Sequence, residues 1–424
     1  MIRTHGAFAL LALPLFAACN DDDGAVASGG NPAAAGPADS LETIDLTGAQ
    51  LGIVDLPAGV DPRIAAVFAR YTAATTRSGA RVHLLAASGI PDELLFRTRA
   101  ILAQHLGDVD DPTSTVDKGA VEDAMTARDA TLAVVADAGA WDTSDPDVAA
   151  AVDLFADSLE VVRADRMVLE ASAGYVLPSP DIDGTHGDTA AFVLRQGVAA
   201  AEPGFATELD AATSDAVVDG RFVPPAGLDA DRVDDAYLAL ALDVYYGVWG
   251  HDPRGDGMAG DAEVGEYAFH TRAGMVAGDP QLVAALERFF PGRNTFPAFL
   301  SDDFAQTFEM EFSAVLPYTH RSRYLERVGV REAGQVARVN GNALDNVFVG
   351  NAGANVFEGR GGNDVAEMGG GDDAVVFEGP QADYTITEIA PNTWRVEDNV
   401  LNRDGIDDVR GAARLEFADG TVFL

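Results

Sequence analysis

The chain has 424 residues, enough for two or three domains, and its apolar fraction of 47% is enough for at least one sizeable core. Asp and Glu number 68 against 28 Lys and Arg, a formal net charge of -40, and this excludes nucleic acid and anionic membrane surfaces as partners while favouring cations. Cys19 is the only cysteine, which excludes an intrachain disulfide.

At the N-terminus, "MIRTH" carries the charge of Arg3, "GAFALLALPLFAA" is a short apolar core, and "FAAC" is followed by "NDDD". This is the layout of a secretory signal, too short for a membrane span. The small residues before Cys19 resemble the lipobox of bacterial lipoproteins, with Phe16 in place of the usual Leu. The resemblance implies a signal peptide over 1–18, a lipid on Cys19 and attachment to a membrane through that lipid. The expected location is the cell envelope, at the outer membrane or the cell surface, with secretion to the outside as the alternative. Residues 19–40, rich in Gly, Ala, Pro, Ser and Asp, cannot bury enough apolar surface to order themselves and are expected to be a tether. Its mean reach is about 25 Å.

Residues 41–339 are expected to form an α+β, mostly helical domain. "RVHLLAA" (81–87) and "TLAVVADA" (131–138) are short apolar runs and predict strands. "PDELLFRTRAILAQHL" (91–106) has apolar residues at helical spacing behind Pro91 and Asp92. The stretches 145–169, 229–249 and 279–290 predict helices opened by Asp or Pro.

Candidates for chemistry in this domain are few. Its histidines are His83, His105, His186, His251, His270 and His320, and none stands in HExxH. "EYAFH" puts Glu266 and His270 at i, i+4. "HDPRGDGMAGDAE" places Asp252, Asp256, Gly257 and Glu263 at four EF-hand positions, but Pro253 and Arg254 spoil the loop. "PDIDGTHGD" gathers Asp181, Asp183 and Asp188 with His186, a solvated loop by default. The order of strand 81–87, helix 91–106, strand 131–138 and helix 188–201 is similar to that of the zincin metallopeptidases. There the later helix carries HExxH; here it carries neither His nor Glu before Glu202, so the resemblance implies a degenerate site.

At Asn340 helical periodicity stops and a nine-residue period begins. In register the segments are "GNALDNVFV" from Gly341, "GNAGANVFE" from Gly350, "GRGGNDVAE" from Gly359 and "MGGGDDAVV" from Met368. The sixth column is Asn346, Asn355, Asp364 and Asp373, one hard oxygen donor per segment; the eighth is Phe348, Phe357, Ala366 and Val375. Six turn-forming residues and three alternating ones describe a tight loop and a short strand. The pattern resembles the calcium-binding nonapeptide of hemolysin-type, or RTX (repeats-in-toxin), proteins, G-G-x-G-x-D-x-U-x, which winds into a parallel β-roll. The resemblance implies Ca2+ between loops two repeats apart. Carried over, Asn346 and Asp364 would share one site, and Asn355 and Asp373 the next. Carbonyls around Gly341, Gly350, Gly359, Gly361, Gly362, Gly369, Gly370 and Gly371 would complete the shells. Asn in place of Asp in the first two repeats implies weaker sites there.

The tail alternates in "DYTITEI" and "TWRVED" with turns at "APN" and "NRDG", which predicts antiparallel strands. It is similar to the β-rich segment that follows such repeats, where the family also carries a type I secretion signal; the N-terminal leader makes a structural cap the expectation here. The expected architecture is multidomain: the α+β domain over 41–339, a parallel β-roll of RTX repeats over 340–378, and a small antiparallel β cap over 379–424. The expected function is a calcium-binding exported lipoprotein with a structural or adhesive role at the cell surface. The alternative is a metal-dependent hydrolase, zincin-like and degenerate, with a calcium-stabilised C-terminal module. The sequence specifies no protein partner, and the residues lean against catalysis.

Overall fold

A computed structural model describes residues 39–108, 116–170, 172, 175, 183–300, 304, 306–313, 315–331 and 337–424. The expected signal peptide, Cys19, most of the tether and Asp181 lie outside the described residues. The last two tether positions belong to a helical turn, Asp39–Glu42.

The first layer is a five-stranded sheet in chain order: β1 (Val54–Asp55), β2 (Phe68–Thr75), β3 (Arg81–Ala87), β4 (Thr131–Val135) and β5 (Leu159–Arg163). The β1–β2 and β2–β3 pairs are antiparallel; β3, β4 and β5 run parallel. Central parallel strands are covered on both faces, and "VHLLA" and "TLAVV" are buried throughout. The predicted helix 145–169 is half right. "PDVAAAVDLF" is helical, Pro146–Phe155, but Ala156 turns to a φ of 48° and "LEVVR" becomes the edge strand β5. Alanine favours the helix, whereas the adjacent Val161 and Val162 favour the strand.

The helix Asp92–Leu106 packs on this sheet, with Asp92 and Glu93 in its first turn. Behind it lies the helix Thr185–Val193, buried on nearly every side, which continues into a π-helical turn, Leu194–Val198. It crosses the helix Val233–Tyr245 so closely that a Cβ on Gly187 would stand 2.5 Å from the Ala239 carbonyl oxygen. The helices Pro203–Val218 and Pro280–Phe289 close this core. A small sheet of β6 (Phe222–Val223), β7 (Ala259–Asp261) and β8 (Gly265–Tyr267) lies beside them.

The C-terminal part is a coil whose successive strands alternate between two sheets. One receives β9 (Ala298–Leu300), β11 (Arg327–Val330), β13 (Val347–Val349), β15 (Val365–Glu367) and β19 (Ile406–Arg410); every neighbouring pair is parallel. The other receives β10 (Thr307–Glu309), β12 (Arg338–Asn340), β14 (Val356–Glu358), β16 (Ala374–Val376) and β20 (Arg414–Phe417), again all parallel. Eighth-column residues point inward from both sheets into one core, where the rings of Phe348 and Phe357 stack 5.0 Å apart. β17 (Tyr384–Ala390) and β18 (Thr393–Asp398) form an antiparallel hairpin beside β19, and β21 (Gly420–Phe423) folds back on β20.

Two boundaries differ from expectation. The coil starts at β9, not at residue 340, because strand pairing tolerates the irregular loops that break the nine-residue period upstream. The tail is only partly an antiparallel cap, because β19 and β20 add a further parallel layer to both sheets. The two parts of the chain are joined through the helix Asp92–Leu106. Its Ile101 belongs to the C-terminal core, and its Gln104 Oε1 accepts the N–H groups of Thr295 and Phe296 at 2.8 Å each. Among the described residues no helix is long and apolar enough to cross a membrane.

Candidate metal centre

Each nonapeptide places its last three residues in a strand and its first six in a loop, so the loops stack along two edges of the coil. Segments 341–346, 359–364 and 402–407 share one edge; segments 350–355, 368–373 and 411–413 share the other. Loops two repeats apart are therefore neighbours, as the spacing implies.

All four sixth-column side chains are buried. The two asparagines close their own loops. Asn346 Oδ1 accepts the Asn342 N–H at 2.9 Å, and Asn346 Nδ2 donates to Asn342 Oδ1 at 3.0 Å. Asn342 Nδ2 in turn donates to the Leu325 carbonyl at 2.9 Å. On the other edge Asn355 Oδ1 accepts the Asn351 N–H at 2.9 Å, and Asn351 Nδ2 donates to the Arg331 carbonyl at 2.6 Å. These asparagine clasps satisfy the loops without a cation.

The aspartates are different, because Arg360 and Gly369 stand where Asn342 and Asn351 stood. Asp364 Oδ1 accepts the Asn346 N–H and Asp373 Oδ1 the Asn355 N–H, both at 2.7 Å. Their Oδ2 atoms are buried with no hydrogen-bond partner. A buried carboxylate oxygen left bare is costly unless something positive meets it. The Asn346–Asp364 and Asn355–Asp373 neighbours are thus linked layer to layer through a backbone N–H.

The next layer of this edge brings a second buried carboxylate beside Asp364: Asp407, which the sequence analysis missed, stands to Asp364 as Asp364 stands to Asn346. The Asp364 N–H donates to Asp407 Oδ1 at 2.8 Å, and both side chains are at most 5% exposed. Both carboxyls are pushed above the ordinary range. Burial is the main cause for each; Asp345 and Asp404 add to it for Asp364, and the charge of Asp364 adds to it for Asp407. Burial also raises Asp373. The signal for Asp407 was present in "NRDGIDDVR" (402–410), with Gly405, Asp407 and Val409 in columns four, six and eight. The period resumes there after the hairpin 384–398.

The glycines make room for this arrangement. Gly341, Gly350 and Gly359 face the sixth-column side chain of their own loop, and a Cβ on Gly359 would overlap Asp364 Oδ2. Gly362, Gly370 and Gly371 take positive φ; Gly361 faces the Arg403 carbonyl and Gly369 the Asn351 carbonyl. The Gly341 carbonyl is already engaged, since Arg360 Nη1 donates to it at 3.0 Å while Nη2 pairs with Glu309 at 2.6 Å. Among the described residues no three His, Cys, Asp or Glu side chains gather as a metal site. A hard cation beside Asp364 and Asp407 would complete its shell with backbone carbonyls, as calcium readily does.

The other sequence candidates do not converge on a site. Glu266 lies in β8 and pairs with Arg254 at 3.1 Å, so Glu266 and His270 do not share a helix face. Asp252 accepts the Gly257 N–H at 3.2 Å, Asp256 pairs with Arg254 and Glu263 lies 3.7 Å from Arg163, so the EF-hand-like acids are spent singly. Asp183 is part of a buried network: Arg97 bonds it at 3.1 Å, Thr185 Oγ1 at 2.6 Å, and Arg97 also pairs with Glu170 at 2.9 Å. His186 is buried against Tyr246, Phe296 and His105, the last with ring centroids 5.9 Å apart. Compared with protein-family models, curated proteins and solved structures, the chain matches none.

Proposed function

We propose that the chain is a calcium-binding exported lipoprotein whose C-terminal coil is a β-roll of the hemolysin type, with a structural or adhesive role at the cell surface and a lipid on Cys19. The observation that carries the calcium assignment is the buried pair Asp364 and Asp407, with Asp364 Oδ2 unpartnered. Two acids in one dry place repel; a divalent cation between the loops turns that repulsion into attraction. Calcium suits the site better than magnesium, because backbone carbonyls at irregular angles satisfy its flexible shell and not a tight octahedron. Asp373 marks a second, weaker position, where the next layer offers Ala413 and no acid.

The test is calorimetric titration of the full chain with calcium, beside thermal unfolding in chelator and in millimolar calcium. Heat of binding and a rise in Tm are expected, both reduced in Asp364→Asn. No heat and identical unfolding curves would overturn the assignment.

A further inference from the structure

A second acidic pair lies on two helices of the first core. Asp188, on the helix Thr185–Val193, and Asp243, on the helix Val233–Tyr245, line a cavity of about 270 Å³. The missing side chain of Gly187 lets these helices touch, and this close crossing puts the two carboxyls at one cavity wall. Asp243 is 5% exposed. Its Oδ1 accepts the Gly187 N–H at 2.9 Å, and the residue lines the cavity wall. Asp188 makes no hydrogen bond through its carboxylate among the described residues. Each carboxyl is raised above its ordinary range, mainly by burial, and Asp243 also by the charge of Asp188.

The remaining charges on the wall are largely spoken for. Asp235 pairs with Arg232 at 3.2 Å and with Arg195 at 3.0 Å, and Glu263 faces Arg163. Arg166 also lines the wall and its charge acts on both carboxylates, so two acids there share one arginine. Leu228, Leu240 and Trp249 supply apolar wall. The volume is far larger than a bare ion needs and is close to the lower end of small-molecule sites, about 300 Å³. Among the described residues no three His, Cys, Asp or Glu side chains gather as a metal site, and the size of this cavity favours a larger cation.

We propose that this cavity binds an organic cation, the ammonium or guanidinium head of a small amine or of a basic peptide side chain, with Asp188 and Asp243 as its counter-ions. The head meets the two carboxylates and its alkyl stem lies along Leu228, Leu240 and Trp249. This gives the large domain a ligand class independent of calcium. The net charge of -40 concentrates such cations around the molecule.

The test is isothermal titration of the full chain, with and without calcium, using agmatine, n-butylamine and a capped Gly-Gly-Arg-Gly-Gly peptide. Binding of at least one probe is expected. It should be roughly 10- to 100-fold weaker in Asp188→Asn and in Asp243→Asn, the range for one charged hydrogen bond. Asparagine at 243 keeps an acceptor for the Gly187 N–H, and circular dichroism checks the fold of each variant. Ala236→Leu, which fills the cavity and leaves both carboxylates in place, should also abolish binding. Equal affinity for amine and peptide would identify a free small molecule as the source; preference for the peptide would identify a protein. No binding at about 10 mM, a range already weaker than any useful site, would overturn the proposal. So would binding unchanged in all three variants, or Mn2+ binding lost in Asp188→Asn while the organic probes stay silent.

Discussion

Replacing Asp407 by Asn separates the repulsion of the buried pair from its use. The amide keeps an oxygen for the Asp364 N–H, so the loop hydrogen bond at 2.8 Å survives. What disappears is one of two buried charges. The charge of Asp364 acts on Asp407, and for an illustrative separation of about 5 Å two like unit charges repel by about 3 kcal/mol at an effective dielectric of about 20. In chelator the wild-type chain bears that cost or holds a proton on the pair, so Asp407→Asn should stabilise it, raising Tm by about 2–5 °C. In calcium the sign reverses. An ion bound only to the folded state adds about 2.7 kcal/mol at a hundredfold excess over Kd, and most of that is lost with the second carboxylate. The pH dependence follows from the same pair. Both carboxyls are raised in the folded chain, so above the unfolded carboxylate range near pH 4 the folded state holds more protons than the unfolded one. Stability in chelator therefore falls as pH climbs through the raised folded range, and Asp407→Asn should flatten that slope. The assay is thermal denaturation by circular dichroism across pH, in chelator and in millimolar calcium. If Asp407→Asn lowers Tm equally in both, the pair is an ordinary structural contact and the reasoning fails.

Gly359→Ala puts a Cβ against Asp364 Oδ2, so it should abolish the calcium-dependent rise in Tm even though no carboxylate is removed. Asn342→Ala breaks an asparagine clasp with several hydrogen bonds and should cost about 1–3 kcal/mol by denaturant titration, equally with and without calcium; a loss seen only in calcium would make Asn342 part of the ion's site. Cys19→Ala should abolish acylation and leave an uncleaved or soluble precursor, and an unmodified wild-type N-terminus in mass spectrometry would refute the lipid anchor.

Strand β3 and the helix Asp92–Leu106 were legible because period and caps agreed, and the four nonapeptide strands fell on columns seven to nine. β9 to β12 were not legible, since three- or four-residue strands with irregular loops between them leave no period to detect. Asp407 was hidden by the inserted hairpin, although its own segment carries the right columns. The sequence analysis weighed Asp188 inside a loop cluster and ignored Asp243. A lone acid within the apolar run "YLALALDVYY" was the available sign, because burying it needs a reason. The partners of Asp364 and Asp188 arise from contacts distant in sequence, which spacing alone does not encode.

The helix Asp92–Leu106 gives one face to each core: Leu94, Leu95, Leu102 and Leu106 to the first, Ile101 to the second. Arg331, just beyond β11, is also ion-paired to Glu93 on this helix. Cutting the gene where the repeats begin would therefore not release a self-contained piece. A fragment ending near residue 339 would keep β9 to β12 without the layers that cover them, and one beginning there would lack the same strands from its other side. Both would present bare strand edges and invite aggregation. The intact chain should melt in a single calorimetric transition, and limited proteolysis should find no early cut near residue 340.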